Sequence, residues 1–373
     1  MRGATGREVL LALNVGSSSL KFAIAAEGAP DTLLLSGNAE RIGSGAAFLK
    51  VAVPGSAARK TELPGADHAR AVRAVAEAGE GALGGARVVA VGHRIVHGGV
   101  GFTEPVRLDA DAIRALEALI PLAPLHQPMG LQGVRVAQAL FPRAVQIGCF
   151  DTAFHADQPW VQAAFALPRA FYDAGIRRYG FHGLSCQSIR RTLLAEGYPV
   201  EARRVVIAHL GNGCSVTAMH GGVGVASSMG FSTLDGLTMG TRTGRIDPGV
   251  LIHLLREGYA MPDLEDLLYR KSGLLGLSGL SNDMRDLLAS EAPAAADAVA
   301  HFVARAVEEI CRLAGVMGGL DAVVFCGGIG ENAGVIRDRI ADGIAFLGVP
   351  ELLVRETREE HEILLAAQET TAR

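Results

Sequence analysis

The sequence lacks the features that mark secreted, membrane-spanning or nucleic-acid-binding proteins. Its five cysteines are scattered over 373 residues without CxxC spacing, which favours reduced thiols in a cytoplasmic protein over a disulfide framework or a zinc site. No apolar run reaches the roughly 18 residues that a membrane span requires. The 35 Lys and Arg residues nearly balance the 39 Asp and Glu residues, so neither a nucleic-acid partner nor a polybasic membrane surface is indicated.

Common catalytic and nucleotide-binding signatures are also missing. The chain has no G-x-x-x-x-G-K-[ST] phosphate loop and no Ser–His–Asp signature. The glycines at 327–330 are out of register with G-x-G-x-x-G, so they give little support to a dinucleotide site. What the chain does have is 49% apolar residues, enough for two buried cores.

Two glycine hairpins stand at similar places in the two halves of the chain. Residues 203–219 and residues 9–24 each have an apolar strand, a glycine turn and a second strand. Aligning Asn14 with His209 gives an offset of 195 residues (209 − 14) and places glycines of the two turns together. The pattern predicts a duplicated unit whose hairpin tip offers backbone N–H groups to an anion.

The first hairpin adds charge and hydroxyl groups to this pattern. Ser17 and Ser18 precede Lys21, one of only four lysines in the chain. Hydroxyls, free amides and a cation together are typical of a phosphate site. A glycine hairpin on its own is weaker evidence, because Asn-Gly is also a common two-residue turn.

The rest of the chain alternates strands with helices, which indicates an α/β fold with mixed sheets. A domain boundary is expected near Phe154, followed by an irregular, aromatic-rich stretch at 159–179. Strand 322–326, a glycine turn and a helix from about Ala333 form a unit suited to a nucleotide. Further strands are expected at 32–37 and 46–53, and a helix at 67–79.

Polar clusters rich in Arg, His, Asp and Asn lie at strand ends and in glycine loops, at 14–21, 93–99, 150–155, 178–185 and 241–247. This content suits phosphoryl transfer, where the protein positions reactants and neutralises spreading charge. Structural alternatives remain open: Arg94 as an ion pair, Asp151 as a helix cap and His182 as a packed turn histidine. For Asp247, which precedes a proline, a helix N-cap is the preferred interpretation.

Nine motifs of the chain, in order, resemble those of the acetate kinase family. They are NVGSSSLKF at 14–22, HRIVHGG at 93–99, APLH at 123–126, FDTAFH at 150–155, RYGFHG at 178–183, HLGNG at 209–213, MGTRTG at 239–244, DMR at 283–285 and GIGEN at 328–332. The resemblance covers almost the whole chain. The acetate kinase family belongs to a superfamily that also contains sugar kinases, heat-shock chaperones and actin.

The resemblance implies an α/β fold of two domains, each with a ribonuclease-H-like, actin-like ATPase core. The domains would be 1–154, completed by the segment 358–373, and the nucleotide-binding domain 155–357. It further implies a cytoplasmic homodimer that transfers a phosphoryl group directly between ATP and acetate, giving ADP and acetyl phosphate. Mg²⁺ would be the cofactor, with Mn²⁺ as a substitute, and no nucleic acid or membrane would be involved.

The resemblance also assigns roles to individual residues. Catalytic roles fall on Arg94, Asp151, His182 and Arg242, and the metal ligands are Asn14 and Glu359. The acyl group would contact Arg94, Val96, Leu125, Phe181 and Thr233, and His126 would line the same site. The nucleotide would contact Lys21, His209, Gly211, Asn212, Gly213, Asp283, Met284, Arg285, Gly328, Ile329, Gly330 and Asn332.

Two departures from the family pattern leave questions open. Thr233 stands where the family usually has a proline, so propionate kinase is a competing interpretation. The family's Thr-Asn-Glu-Glu appears as TREE at 357–360, so Glu360 or Glu362 could replace Glu359 as the metal-linked glutamate. A chaperone or filament ATPase would share the glycine hairpins but would not explain Arg94, His182 and Arg242. A nucleotide-binding protein without transferase activity is excluded only by assay.

Overall fold

The computed structural model describes residues 7–124, 126–348 and 350–372. By its internal contacts the chain forms two compact units. Unit 1 consists of the residues up to Ala153 together with those from Arg358 onward, and unit 2 is Phe154–Thr357. The division lies one residue before the expected boundary at 154/155, and the returning segment begins at the expected residue 358.

The elements follow the chain in this order. Unit 1 contains β1 Glu8–Val15, β2 Ser19–Ala26, β3 Ala29–Glu40, β4 Phe48–Ala52, β5 Arg59–Glu62, α1 His68–Leu83, β6 Arg87–Ile95, β7 Val106–Arg107, α2 Ala110–Glu117, α3 Gln127–Leu140 and β8 Val145–Phe150. Unit 2 contains α4 Trp160–Ala163, α5 Arg169–Asp173, α6 Gly183–Ala195, β9 Arg204–Leu210, β10 Cys214–His220, β11 Val223–Ser227, α7 Pro248–Arg256, α8 Met261–Arg270, α9 Gly273–Ser278, α10 Met284–Ala289, α11 Pro293–Met317, β12 Ala322–Cys326, α12 Gly327–Asn332, α13 Gly334–Ile344 and β13 Glu351–Val354. The last helix, α14 Glu359–Ala372, returns to unit 1.

The two sheets repeat one topology. In unit 1 the strand order is β5-β4-β3-β2-β1-β6-β8-β7, and in unit 2 it is β11-β10-β9-β12-β13. The stretch β3-β2-β1-β6-β8 matches all five strands of the second sheet, with three antiparallel strands followed by two parallel ones. The expected α/β fold with a duplicated actin-like core is confirmed.

The paired glycine hairpins occupy equivalent places in this repeat. Strand β1 ends at Val15 and β9 ends at Leu210, which reproduces the 195-residue offset. In the first hairpin Val15 pairs with Leu20, and in the second Leu210 pairs with Cys214. The second turn, Gly211–Gly213, is therefore one residue shorter than the first.

Helix α14 closes the core of unit 1. A Cβ on Gly92 of β6 would lie only 2.4 Å from Ile363 Cγ2, so the glycine lets the helix approach the sheet closely. Ile363, Leu364 and Ala367 are buried there. Burying an aliphatic side chain contributes about 1.5–3 kcal/mol, so α14 is part of the hydrophobic core of this unit.

The structure corrects several local expectations. The stretch at 159–179 contains the short helices α4 and α5, and strands β5 and β13 were not predicted. A glycine turn was expected after β12, but helix α12 begins there directly, at Gly327. Gly327 has φ +75°, a conformation that glycine adopts readily, so no separate turn precedes the helix. Asp247 caps α7 by accepting a hydrogen bond from the Gly249 amide (2.7 Å), as expected.

Candidate functional site

Unit 1 presents an arginine–aspartate pair at the carboxyl ends of its parallel strands. Arg94 of β6 donates from Nε to both Asp151 oxygens (3.0 Å each) and from Nη2 to Oδ2 at 2.6 Å. The Asp151 side chain is 1% exposed and that of Arg94 16%. Burial raises the pKa of Asp151, and the charge and hydrogen bonds of Arg94 oppose that rise. Asp151 is an ion-pair partner, and its alternative as a helix cap is wrong.

Asn14, at the end of β1, joins this pair to helix α14. Its Nδ2 donates to Glu359 Oε2 (2.8 Å) and Glu360 Oε1 (2.7 Å), and its Oδ1 accepts a longer bond from Arg94 Nη1 at 3.4 Å. Burial and the charge of Glu359 raise the pKa of Glu360, while Lys21 lowers it. Two neighbouring glutamates therefore meet the Asn14 amide.

Glu362 is the third glutamate in the first turn of α14. It is 5% exposed, and its charge helps to raise the pKa of the Cys149 thiol to about 12, after burial of that thiol. Glu362 therefore stays a candidate for the metal-linked glutamate beside Glu359 and Glu360.

The oxygen atoms of this cluster suit a hard divalent cation. Carboxylates of Asp151, Glu359 and Glu360 and the amide oxygen of Asn14 are the donors that Mg²⁺ prefers. Among the described residues, no group of three or more His, Cys, Asp or Glu could hold a metal by itself. Mg²⁺ in phosphoryl-transfer sites is commonly held by one or two carboxylates plus water and substrate phosphates, so the donor set fits that mode.

Unit 2 presents its own polar cluster around His182. This residue has φ +56° and is one of two non-glycine residues with positive φ in the described part of the chain, the other being Arg41. Its ring stacks on His209 with centroids 4.3 Å apart, and its Nδ1 lies 2.9 Å from Ser215 Oγ. The ring of His182 therefore contacts side chains at the end of the β9–β10 hairpin.

Arg242 reaches the same hairpin from the loop that follows β11. A Cβ on Gly213 would lie 3.4 Å from His182 Nε2 and 3.8 Å from Arg242 Nη1. Arg242 Nη1 also donates to the Thr233 carbonyl at 3.0 Å. The absence of a side chain at Gly213 therefore leaves backbone beside two potential donors.

A cavity of about 740 Å³ borders this turn. Its wall consists of Gly211, Asn212, Asn282, Asp283, Met284, Arg285, Leu288, Gly328, Ile329, Asn332 and Ala333. Asp283 caps α10 and pairs with Arg285 (2.6 Å), which lowers the pKa of Asp283. The volume is within the range usual for small-molecule and cofactor sites.

The structure brings many, though not all, of the expected nucleotide residues to this cavity. Gly213 and Gly330 are not on its wall, and Lys21 belongs to unit 1, on β2 opposite Asn14. His209 lies beside the cavity, stacked on His182. Asn282, Leu288 and Ala333 were missed, although each adjoins or closely follows an expected motif and could have been found by extending it.

The expected acyl-site residues are distributed over both units. Val96 is buried in unit 1, where His126 is the N-cap residue of α3, and Phe181 and Thr233 are buried in unit 2. Leu125 lies outside the described residues.

Comparisons with solved structures define the class of protein. The chain is similar to a propionate kinase from Francisella tularensis subsp. tularensis SCHU S4, with a TM-score of 0.89, 33% identity, and coverage of 97% of this chain and 99% of that one. It is also similar to the acetate kinase of Porphyromonas gingivalis, with a TM-score of 0.85, 33% identity, and coverage of 98% and 100%. The fold and these relatives define a kinase with two actin-like cores.

Sequence comparison gives the family. The model of the acetokinase family matches residues 9–371. An acetate kinase of Methylocella silvestris is 46% identical over 91% of this chain and 87% of its own length. One of Rhodopseudomonas palustris is 47% identical over 92% and 87%. The chain belongs to the acetokinase family.

Proposed function

We propose that this kinase transfers a phosphoryl group reversibly between ATP and acetate, giving ADP and acetyl phosphate. One observation carries the proposal: the three-residue turn Gly211–Gly213 has the cavity at one end and His182 and Arg242 at the other. A nucleoside placed in the cavity would extend its phosphates along the backbone of this turn. The terminal phosphate would then meet the histidine and the arginine.

Charge neutralisation and alignment account for the chemistry. Acetate is already ionised at neutral pH, because carboxyl groups titrate near pH 4, so the nucleophile needs no general base. Arg242 and Arg94 would neutralise the acyl carboxylate and the phosphoryl oxygens, and His182 would donate to a phosphoryl oxygen. Asp151 would orient Arg94, since it accepts hydrogen bonds from both Nε and Nη2 of that residue.

Kinases of this family generally need a divalent metal, and we propose Mg²⁺, with Mn²⁺ as a substitute. Asn14 and Glu359 would hold it, with Glu360 as the adjacent candidate. Bound there, the ion would neutralise charge on the nucleotide phosphates. Because Asn14 contacts Glu359, Glu360 and Arg94, this residue would set the orientation of the neighbouring carboxylates and the guanidinium.

Val96, Leu125, Phe181 and Thr233 would surround the acyl chain. Propionate is the second candidate substrate, and Thr233 is the observation that favours it. Its carbonyl already accepts from Arg242, so the residue adjoins a proposed catalytic group through its backbone. Threonine leaves this backbone freer than the rigid ring of proline would.

We further propose a homodimer in the cytoplasm. Helix α7 has no buried residue, and Val250, Ile252 and Leu255 are 42%, 50% and 44% exposed. Apolar exposure of this kind is typical of an interface, and a second copy of the chain is the occupant that the family resemblance implies. All five cysteines are free thiols, which is consistent with a reducing compartment. None of the described helices is long and apolar enough to span a membrane.

The decisive assay measures ATP consumption and trapping of the acyl phosphate with hydroxylamine, using acetate, propionate and butyrate at fixed MgATP. We expect one acyl phosphate formed per ADP, with acetate preferred. ATP hydrolysis without acyl phosphate would indicate an ATPase, and ADP binding without turnover would indicate a binding protein. The Arg242→Ala variant is the matched control, since it should bind ADP but lose transfer.

A further inference from the structure

His155 is a fully buried histidine to which neither the family resemblance nor the proposed mechanism assigns a role. Its side chain lies in unit 2, and its Nε2 is 2.9 Å from the carbonyl oxygen of Phe181. A carbonyl oxygen only accepts, so Nε2 carries the proton and donates. Nδ1 has no hydrogen-bond partner, which fits a neutral ring. Burial agrees, because it lowers the pKa of His155 to about 4.

The accepting carbonyl belongs to the peptide group that precedes His182. That peptide plane fixes φ of His182, which stands at +56°, in a region that non-glycine residues seldom occupy. Relaxing His182 toward negative φ would rotate the plane and withdraw the Phe181 oxygen from His155. The hydrogen bond from His155 therefore opposes the relaxation.

The backbone of Gly180 packs closely against the His155 ring. Gly180 has φ +78°, and a Cβ at this position would fall 2.6 Å from Cγ of His155. Gln158 adds a second clamp, because its Nε2 donates to the carbonyl of Tyr179 (3.0 Å) and to that of His155 (3.1 Å). The segment leading to His182 is thus held at two carbonyls, those of Tyr179 and Phe181, which flank Gly180.

From this geometry we infer that His155 is a positioning residue, whose hydrogen bond to the Phe181 carbonyl holds His182 in the backbone conformation that points its ring at the Gly213 turn. The inference rests on the proposed function, in which His182 donates to the phosphoryl group. His155 itself touches no reacting atom. A displacement of about 1 Å at such a donor can lower the rate by about a hundredfold.

The test is a double-mutant cycle of His155→Leu with His182→Ala. His155→Leu removes the donor and should lower kcat by about ten- to a hundredfold, with the dissociation constant for ADP unchanged because the cavity wall is elsewhere. In the His182→Ala background the same substitution should lower kcat no further. His155→Gln, whose amide nitrogen can take the place of Nε2, should restore much of the loss.

A stability control separates positioning from general loosening of unit 2. Leu193→Ala removes a buried side chain of α6 and should lower the melting temperature at least as much as His155→Leu, with kcat retained. Should His155→Leu fail to fold, His155→Asn carries the test, because its shorter side chain stops short of the Phe181 carbonyl.

The outcomes distinguish the two proposals. If His182→Ala leaves kcat unchanged, the proposed role of His182 is wrong. If His182→Ala lowers kcat but His155→Leu does not, or if the two effects multiply, the positioning role of His155 is overturned. The expected result is a loss for each single variant and no additional loss for the double variant.

Discussion

Replacing Arg94 by alanine should affect both the stability of unit 1 and phosphoryl transfer, and the two effects can be separated. Asp151 is 1% exposed and accepts three N–H···O contacts from Arg94. Removing one partner of a buried pair costs about 3–5 kcal/mol, because the remaining charge is left uncompensated. In a unit of this size that corresponds to a decrease of about 6–20 °C in its melting temperature.

The double variant Arg94→Met, Asp151→Leu removes both charges and replaces them with apolar side chains. Such replacements are often neutral or stabilising, so calorimetry should show the melting temperature of unit 1 recovering. Turnover should not recover, since the double variant lacks the guanidinium that we propose neutralises the transferred group. We expect kcat to fall by about two or more orders of magnitude in both variants, as when a donor to a developing oxyanion is lost.

Two controls bracket the result. Arg94→Lys keeps the charge but lacks the planar fork, so it should rescue poorly. Arg204→Ala breaks the ion pair between Arg204 and Asp321 (2.7 Å), which resembles the Arg94–Asp151 pair in geometry. The side chain of Arg204 is 34% exposed and that of Asp321 is 17% exposed. Exposed pairs contribute about 0–1 kcal/mol, and turnover should be retained. Near-wild-type kcat in the double variant would mean that Arg94 is a structural ion pair only.

Three further predictions concern substrate, pH and metal. Thr233→Pro should sharpen the preference for acetate over propionate, which the wild type should use at about a tenth of the acetate kcat/KM; an unchanged ratio would show that residue 233 does not shape the acyl site. Burial lowers the pKa of His93 to about 4, so the stability it contributes is complete above pH 6.5 and is lost as pH falls toward 4. At pH 5 the free energy of unfolding should be about 2 kcal/mol lower than at pH 7 because of His93. His93→Leu should therefore show a smaller melting-temperature difference between pH 7 and pH 5 than the wild type; an equal difference in the two proteins would refute this role of His93. Glu359→Gln or Glu360→Gln should raise the Mg²⁺ concentration needed for half-maximal rate, whereas Glu362→Gln should lower stability without changing that concentration; a shift with Glu362 alone would reassign the ligand.

Hydrophobic patterns and motifs predicted the fold well where the periodicity was strong. They predicted it less well where the conformation of a single residue determines how an element begins or ends. The two hairpins and their 195-residue offset were readable because glycine turns between apolar strands are local signals. Strand β5, with every residue exposed, carries no such signal and was missed. The start of α12 depended on the φ of Gly327, which no sequence pattern shows.

Candidate site residues were predictable by motif, but their contacts were not. The proximity of Asn14 to Glu359 spans 345 positions and arises from the return of α14 to unit 1. The pairing of Arg94 with Asp151 and the positive φ of His182 likewise depend on tertiary packing. The Arg94–Asp151 contact is set by the strand order of the sheet, because the neighbouring parallel strands β6 and β8 bring these distant residues to one edge.

The return of α14 to unit 1 has a consequence for the order of folding. In the sequence, the 204 residues of Phe154–Thr357 separate this helix from the strands that it covers. A ribosome therefore synthesises all of unit 2 before unit 1 can close. Until then the face of the sheet that receives Ile363, Leu364 and Ala367 is open to solvent and to other nascent chains. Glu359 and Glu360 arrive on the same helix, so the last segment to join unit 1 both closes its core and brings two carboxylates to the Asn14 amide.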